Sequence, residues 1–312
     1  MVQASPAIEA FGLRKVYGSK VAVDSLTLTV ERGEVFGFLG PNGAGKTTSV
    51  KMLLGLAQPT AGEGKLLGLP ITDPRCRQRV GFLPEHFRFH EWLRADEFLD
   101  LHGKLHGLPK EVRARRVPEL LELVGLTEAA ERRLGTFSKG MLQRIGLAQA
   151  LINEPELVFL DEPTSGLDPL GRRMVRDIIR HLRERGTTVF LNSHLLSEVE
   201  ITCTRVAFVA SGRVRHITSL GEHQDGFIQV DLRVGKIDEG LVAGLGQWSA
   251  QVDVNTSTNT LTLHLSDESS LPKIARWVVE RGTDLYSLSP RAMSLEDLFF
   301  SVVGSDISCE TS

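Results

Sequence analysis

The chain has 312 residues, a length that allows one large domain or two of ordinary size. Hydrophobic residues make up 41% and charged residues 24%, which is typical of a soluble globular protein. The net charge of −3 lacks the basic surplus of most nucleic-acid binders, so no nucleic-acid partner is expected. No apolar run approaches a membrane span, and residues 1–10 lack the pattern of a secretory signal. Three scattered cysteines favour a reducing, cytosolic compartment: Cys76, Cys203 and Cys309.

Two stretches near the start alternate in the manner of strands, at residues 8–11 and 25–30. Tyr17 lies between them, upstream of a glycine-rich loop. An aromatic ring that stacks on a nucleobase contributes about 1–3 kcal/mol without base-specific hydrogen bonds. Tyr17 is therefore a candidate for holding an adenine ring, with ordinary strand packing as the alternative.

The glycine-rich loop follows an apolar run at residues 35–39 and precedes a helical pattern at residues 47–54. Its sequence has the form G-x-x-x-x-G-K-[ST] of a phosphate-binding loop, the Walker A motif: Gly40-Pro41-Asn42-Gly43-Ala44-Gly45-Lys46-Thr47-Thr48. Glycines permit backbone conformations that direct consecutive N–H groups at phosphate oxygens, next to the positive end of a helix. Lys46 would reach the β- and γ-phosphates and the Thr47 hydroxyl would bind Mg²⁺. The alternative is an ordinary glycine-rich turn.

A helical insertion is predicted at about residues 87–152, after a short apolar run that leads to Glu85. Phe87, Phe89 and Trp92 near its start are equally compatible with core packing and with anchoring a protein partner. Charged runs at residues 113–116 and 132–133 indicate solvated helix faces, with proximity to anionic lipid as a lesser alternative.

A second set of polar residues follows the insertion. Ser138 is a plausible N-cap for a helix that starts with Lys139-Gly140-Met141. A buried strand at residues 157–160 ends in Asp161-Glu162, where a phosphate-loop NTPase carries its metal ligand. Another buried strand, at residues 188–191, ends near His194. Because strands alternate with helices, the sheet should be mostly parallel.

The composition changes after about residue 221, which predicts domains at residues 1–221 and 222–312. The second stretch shows strands at 227–234, 260–265 and 284–289, a helix at 270–281 and a last helix at about 295–303. This pattern indicates a small α+β domain without a catalytic constellation, in which Trp248 and Trp277 should be core residues. Residues 304–312 should be frayed.

Taken together, these motifs show that residues 7–220 resemble the ATP-binding cassette ATPases of ABC transporters. The resemblance implies an α/β phosphate-loop NTPase with a mostly parallel core sheet, an antiparallel β part and a helical subdomain. It assigns Ser138-Lys139-Gly140-Met141 to the family's signature loop and residues 165–168, which end in Asp168, to the loop that crosses a dimer interface. It makes Tyr17 the adenine-stacking aromatic.

The same resemblance implies the roles of the catalytic residues. Glu162 would orient and deprotonate the attacking water, and His194 would contact the γ-phosphate of ATP. Mg²⁺ would be held by Thr47, Asp161 and Glu85, and Glu85 stands where the family usually has a glutamine. The signature loop, which usually reads Ser-Gly-Gly-Gln, also departs from the common form. Both departures, together with residues 294–299, resemble the subfamily that powers ABC-2-type exporters.

Two kinds of partner follow from the resemblance. Two cassettes of the family share two nucleotides, so Ser138 and Gly140 would act on ATP held by a second subunit, most simply in a homodimer. A separate transmembrane permease would place the chain in the cytoplasm, peripheral to the inner face of the cell membrane. The rival functions are a DNA-repair or ribosome-associated cassette ATPase, and a nucleotide sensor that hydrolyses ATP poorly. The cargo is left open by the sequence.

Overall fold

The computed structural model describes residues 5–220, 228–291, 295–296, 298–300 and 302. These residues form two compact units, one up to residue 220 together with residues 299, 300 and 302, and the other between residues 228 and 298. This division supports our proposal of two domains that meet near residue 221. The predicted frayed end at residues 304–312 lies outside the described residues, as do Phe227, Ser294 and Asp297.

The first unit is built from strands and helices in alternation. Its elements are β1 Ile8–Tyr17, β2 Lys20–Val30, β3 Val35–Leu39, α1 Lys46–Leu53, β4 Ala61–Leu66, β5 Leu69–Pro70, β6 Val80–Leu83, α2 Ala95–Leu105, α3 Lys110–Leu123, α4 Lys139–Ala150, β7 Leu157–Asp161, α5 Pro169–Glu184, β8 Thr188–Asn192, α6 Leu196–Thr202, β9 Arg205–Ala210 and β10 Arg213–Ser219. Of these, α5, α6, β9 and β10 were not predicted from the sequence, and β1 and β2 are longer than predicted.

One sheet joins the strands of this unit in the order β5-β4-β1-β2-β10-β9-β3-β8-β7-β6. The neighbours β9-β3-β8-β7-β6 run parallel, whereas β1 pairs antiparallel with β2 and with β4. Every residue of β3, β7 and β8 is buried, because parallel strands are covered on both faces. The predicted fold class is therefore confirmed, and the carboxyl ends of β3, β7 and β8 meet at one edge.

The predicted helical insertion contains α2, α3 and α4. Helix α2 begins at Ala95 because Arg94 is extended and serves as the N-cap. The Arg94 N–H donates to the Glu97 carboxylate at 3.0 Å, which closes a capping box. Trp92 is 69% exposed, whereas Phe87 and Phe89 are half-buried and pack against each other and against Phe98.

The prediction that residues 113–116 form a solvated face is wrong for two of the three arginines in this run. The Arg113 guanidinium donates to Asp100 at 2.7 Å and to the Leu108 carbonyl at 2.6 Å. The Arg116 guanidinium donates to the Leu151 carbonyl at 3.0 Å. Both side chains are only 13% exposed, because these carboxylate and carbonyl partners stabilise the charge in place of water.

The second unit consists of β11 Ile228–Val234, α7 Glu239–Leu245, β12 Ser249–Asn255, β13 Thr260–Leu265, α8 Leu271–Glu280 and β14 Leu285–Arg291. Its sheet is antiparallel in the order β12-β13-β11-β14, which is the ferredoxin-like β-α-β-β-α-β arrangement. The sequence did not predict α7 or β12. Trp248 and Trp277 are partly buried against the core and pack edge-to-face, with ring centroids 5.4 Å apart.

A histidine of α2 makes the stability of the first unit sensitive to acid. His102 packs edge-on against Phe98, with ring centroids 4.5 Å apart. Burial, together with smaller contributions from the charges of His106 and His90, lowers the pKa of His102 from 6.5 to about 4. The unfolded chain therefore binds a proton at this residue before the folded chain does, so stability is lost as the pH falls from 6.5 towards 4.

We expect the substitution His102→Gln to reduce this loss of stability, because a neutral amide does not titrate. Over the same pH range, the free energy of unfolding should fall more in the wild type than in His102→Gln, by on the order of 1–3 kcal/mol. Urea denaturation at a series of pH values measures the difference, with His181→Gln, at an exposed site on α5, as the control. Parallel pH profiles for the wild type and His102→Gln would contradict the assignment.

Candidate nucleotide site

The glycine-rich loop connects the buried strand β3 to α1, as the sequence predicts. Gly43 and Gly45 have φ of 84° and 97°, in the left-handed region that glycine favours. A Cβ atom on Gly45 would lie 2.4 Å from the Ala22 carbonyl oxygen, and one on Gly40 would lie 2.2 Å from the Val209 carbonyl oxygen. The loop therefore needs glycine for its backbone conformation and for its close approach to neighbouring strands.

Lys46 is the first residue of α1 and is only 8% exposed. Its ammonium donates to the carbonyl oxygens of Gly40 at 2.8 Å and Pro41 at 3.2 Å. Burial lowers the pKa of Lys46, and the negative charges of Glu162, Asp161 and Glu85 oppose that shift. The carbonyl partners lie in the loop itself, so the ammonium can exchange them for phosphate oxygens without leaving the loop.

A cavity of about 500 Å³ surrounds this lysine. Its lining contains most of the residues that the sequence assigned to the nucleotide: Gly40, Pro41, Asn42, Gly43, Gly45, Lys46, Thr47, Thr48, Glu85, Asp161, Glu162 and His194. Three further residues line it that the sequence did not assign: Lys20, Ala22 and Asn192. Ala44 is buried, and Ala44 and Tyr17 lie outside this lining.

Asp161 is the last residue of β7 and lies beside Asn192, the last residue of β8. The Asn192 amide donates a short hydrogen bond to the Asp161 carboxylate. Burial raises the pKa of Asp161, the hydrogen bond from Asn192 counteracts that rise, and the negative charges of Glu85 and Glu162 add to it. A polar residue that ends a buried strand next to Asp161 is the signal by which Asn192 could have been found.

Glu162 has an unusual backbone and an unusual carboxylate. Its φ is 53°, a value that is rare for a residue with a side chain. One carboxylate oxygen lies 2.8 Å from His194 Nδ1, while the other, Oε2, is buried without a hydrogen-bond partner in the described structure. A buried acceptor without a partner costs free energy unless a donor supplied from elsewhere satisfies it. A water molecule or a substrate group is such a donor.

Tyr17 ends β1 and is 50% exposed, with the Lys15 ammonium 4.8 Å from the centre of its ring. Its ring is therefore not packed into the core. Lys20 and Ala22, on the next strand of the same hairpin, line the cavity around Lys46. Tyr17 thus belongs to a hairpin that forms part of the cavity wall, although the ring itself does not contribute to the lining.

The signature residues lie in a different place. Ser138 caps α4 by accepting a hydrogen bond from the Met141 N–H at 3.3 Å. A second cavity of about 530 Å³ is lined by Ser138, Lys139, Gly140, Arg144, Gly166, Leu167, Asp168, Leu170, Gly171 and Met174. Asp168 caps α5 by accepting from the Gly171 N–H at 2.7 Å. The two cavities share no lining residue, so the predicted nucleotide contacts of one chain fall into two separate sets.

The donor set of the first cavity fits a magnesium ion that arrives with a nucleotide. Among the described residues, no group of three or more His, Cys, Asp and Glu side chains is arranged to hold a metal by itself. Magnesium in nucleotide sites takes one or two protein ligands and completes its shell with phosphate oxygens and water. Thr47, Asp161 and Glu85 line the same cavity and supply oxygen atoms of the required kind.

Residues 23–165 match the family model described as ABC transporter. An uncharacterized ABC transporter ATP-binding protein of Synechocystis sp. is 47% identical over 81% of this chain and 74% of its own length. The bacitracin transport ATP-binding protein BcrA of Bacillus licheniformis is 34% identical over 96% of this chain and 98% of its own. The Nod factor export ATP-binding protein I of Ralstonia nicotianae is 39% identical over 68% and 67%, respectively.

This chain also resembles solved structures of ATP-binding cassettes. The dimeric, post-hydrolysis ATP-binding cassette MJ0796, bound to ADP and Pi, is 25% identical to this chain. The superposition covers 69% of this chain and 99% of that one, with a TM-score of 0.64. The match therefore extends to a complete cassette.

Buried phosphate-binding and acidic groups that converge at the carboxyl edge of a parallel sheet define a phosphate-loop ATPase of the cassette class. With 34% identity to a relative over nearly the whole of both chains, the chain belongs to the ABC transporter ATP-binding proteins. It binds and hydrolyses ATP as the energy-supplying subunit of a transporter. ATPases of this family dimerise and pair with a membrane component. None of the helices that the structure describes is long and apolar enough to cross a membrane.

The loop glycines should differ in their tolerance of alanine. Gly43 and Gly45 both have positive φ, but a Cβ atom on Gly43 would have no neighbour within 4 Å. Gly43→Ala should therefore destabilise the fold by about 1–2 kcal/mol through its backbone alone. Gly45→Ala should cost more and also weaken nucleotide binding, because its Cβ atom would displace β2 at Ala22. Urea denaturation and titration with a fluorescent ATP analogue test both, and equal effects would refute the steric argument.

Proposed function

We propose that this chain powers an ABC-2-type exporter through ATP-driven closure of a dimer of two identical cassettes. The separation of the two cavities carries the proposal. The Lys46 cavity holds the phosphate-binding and acidic groups, and the cavity at Ser138 holds the signature residues. A two-fold axis would place the Ser138 cavity of one copy opposite the Lys46 cavity of the other, so that two ATP molecules complete two shared sites.

The residues of the Lys46 cavity would have distinct roles in phosphoryl transfer. Lys46 and the loop N–H groups would bind the phosphates, and phosphate oxygens would replace the Gly40 and Pro41 carbonyls as partners of the ammonium. Glu162 would accept a proton from the attacking water at Oε2, the buried oxygen that has no other partner. His194 would keep its Nδ1 on Glu162 and offer its other ring nitrogen to the γ-phosphate.

Thr47, Asp161 and Glu85 would hold magnesium, whose charge would offset that of the phosphates. Glu85 adds a carboxylate to a cavity that already contains Asp161 and Glu162, so the protein alone brings more negative than positive charge close to Lys46. A divalent cation would relieve that excess. Glu85 is exposed, and its carboxylate is therefore free to turn towards the cavity or away from it.

Tyr17 would hold the adenine ring. Its half-exposed ring ends β1, on the hairpin that supplies Lys20 and Ala22 to the cavity wall. The ammonium of Lys15 lies over one face of the ring, which leaves the other face for stacking. Stacking of this kind holds the base without reading its hydrogen-bonding edges.

The membrane partner would be a separate permease that docks beside the start of the helical subdomain, at the inner face of the cell membrane. Trp92 is exposed there and packs against His90, with ring centroids 5.0 Å apart, whereas Phe87 and Phe89 are half-buried and pack against Phe98. Large exposed aromatic side chains are frequent anchors of protein interfaces. The names of relatives mention bacitracin transport and Nod factor export; the permease would select the cargo of this chain.

The role of Glu162 is tested by Glu162→Gln, which removes the proton acceptor and keeps the shape. We expect kcat for ATP hydrolysis to fall by about 10²–10⁴-fold, since that is the usual contribution of a general base. Binding of ATP should survive because the phosphate-binding groups are unchanged. A steady-state ATPase assay and equilibrium nucleotide binding measure the two effects, with Glu184→Gln at the exposed end of α5 as the control. Undiminished turnover would exclude Glu162 as the base.

The dimer is tested by Ser138→Arg in the Glu162→Gln background, which traps bound ATP. Ser138 lies outside the cavity around Lys46, so a single chain should bind ATP as before. ATP-driven dimerisation should be abolished, because a bulky cation would occupy the position that faces the partner's γ-phosphate. Analytical ultracentrifugation with and without ATP detects the change, and Thr127→Arg, at an exposed site in the same subdomain, is the control. Dimers that persist in Ser138→Arg would disprove the shared site.

A further inference from the structure

The loop that contains Glu162 is held by a glutamine of α4. The Gln143 side-chain amide donates to the backbone carbonyl oxygens of Glu162 and Pro163, at 3.2 Å each. Gln143 is half-buried and lies one turn inside a helix whose N-cap is Ser138. A single amide group therefore connects the helix that begins at the signature residues to the residue that we propose as the general base.

The backbone of Glu162 depends on such support. Its φ of 53° is unfavourable for a residue with a Cβ atom, and conformations of this kind persist where the surrounding structure enforces them. Its N–H donates to the Asn192 carbonyl at 2.9 Å, and its carbonyl accepts from the Ser165 N–H at 3.0 Å. The side-chain amide of Gln143 donates to the same carbonyl and belongs to α4, whereas Asn192 belongs to β8 and Ser165 to the turn after β7. This hydrogen bond therefore fixes the peptide group next to the Cα atom that carries the Glu162 side chain.

Two packing contacts connect the same helix turn to the same loop. A Cβ atom on Gly166 would lie within 3.1 Å of three atoms of the Lys139 side chain, so the lysine stem lies directly against that glycine. A Cβ atom on Gly140 would lie 3.4 Å from Leu167 Cδ2. Lys139, Gly140 and Gln143 of α4 thus contact residues 162–168. Movement of one segment will therefore be transmitted to the other.

We propose that Gln143 is a positioning residue for Glu162, which couples the engagement of Ser138 by a partner's nucleotide to the orientation of the base for the chain's own nucleotide. The inference rests on the proposed function and adds a residue and a direction of coupling to it. Gln143 touches neither the Lys46 cavity nor the Ser138 cavity, so its effect has to pass through the peptide of Glu162.

The first test replaces the amide by a group of similar length that cannot donate a hydrogen bond, Gln143→Met. We expect kcat to fall by about 10²-fold, the loss typical of a misplaced reacting group, with KM and the Kd for ATP unchanged. Gln149→Met, in the same helix and equally half-buried, is the matched control and should keep wild-type turnover. A Gln143→Met protein with wild-type kcat, measured beside an inactive Glu162→Gln, would overturn the inference and leave the proposed function intact.

A double-mutant cycle decides whether Gln143 acts through Glu162. In the Glu162→Gln background the base is already absent, so Gln143→Met should cause no further loss of the residual turnover. If the two losses multiply instead, Gln143 acts independently of the base and the inference is wrong. If Glu162→Gln by itself does not reduce turnover, the proposed function is contradicted, so the two failures are distinguishable.

A third variant separates positioning from a general loss of structure. The carboxyl group of Gln143→Glu can donate a hydrogen bond to the two carbonyls only when it is protonated, and two nearby carbonyl oxygens raise the pKa of such a group. The ratio of its kcat to that of the wild type should therefore rise as the pH is lowered from about 8 to about 6. A ratio that does not change with pH, in a protein whose thermal melting matches the wild type, would overturn the inference.

Discussion

The site depends on a buried ammonium group among buried acids. Lys46 lies at the start of α1, after the loop that follows β3, and Asp161 and Glu162 lie where β7 ends two strands away from β3 in the same sheet. Burial opposes the charge of the lysine, and the neighbouring carboxylates favour it. A buried charge is tolerated when it is paired and hydrogen-bonded, which explains why the lysine donates to two loop carbonyls. In the proposed mechanism, phosphate oxygens would replace these carbonyls as partners of the ammonium, and a metal ion would offset the negative charge that the phosphates add.

The site also depends on how the two sets of nucleotide contacts are arranged in one chain. The signature residues and the phosphate-binding loop are both fully formed in one chain, but they line different cavities. A nucleotide that needs both sets of contacts would therefore stabilise the closed dimer over the separate subunits, and its hydrolysis would remove that difference. The contacts between α4 and residues 162–168 offer a path by which closure reaches the base. In such a design, an open subunit would hydrolyse ATP slowly, because Glu162 would be correctly oriented only after Ser138, at the start of α4, contacts the partner's nucleotide.

The second unit is organised around a core of its own. Ten buried apolar residues, among those that the structure describes, form this core between one face of the antiparallel sheet and the two helices: Val230, Leu232, Val234, Leu241, Leu245, Leu261, Leu263, Leu265, Ile274 and Val278. The strict alternation along β13 places Leu261, Leu263 and Leu265 in that core, with Thr262 and His264 on the other face. This alternation is why the sequence predicted β13, whereas Gly240 and Gly244 obscured α7.

Local pattern by itself determined the phosphate-binding loop, the acidic pair Asp161-Glu162 and the N-cap Ser138, because each depends on residues that are adjacent along the chain. It also determined the buried strands β3, β7 and β8, whose apolar runs are continuous because both faces are covered. The predicted roles of these residues came from the resemblance to a family.

Only the tertiary structure decided which distant residues meet. Asn192 reaches Asp161 because β8 pairs with β7, and Gln143 reaches the Glu162 carbonyl because α4 packs beside the end of β7. The partners are 31 and 19 residues apart, so local pattern alone does not pair them. The same reason explains the error at Arg116, whose carbonyl partner lies 35 residues away. Propensity and periodicity act over a few residues, whereas strand pairing and helix packing select partners across the whole fold.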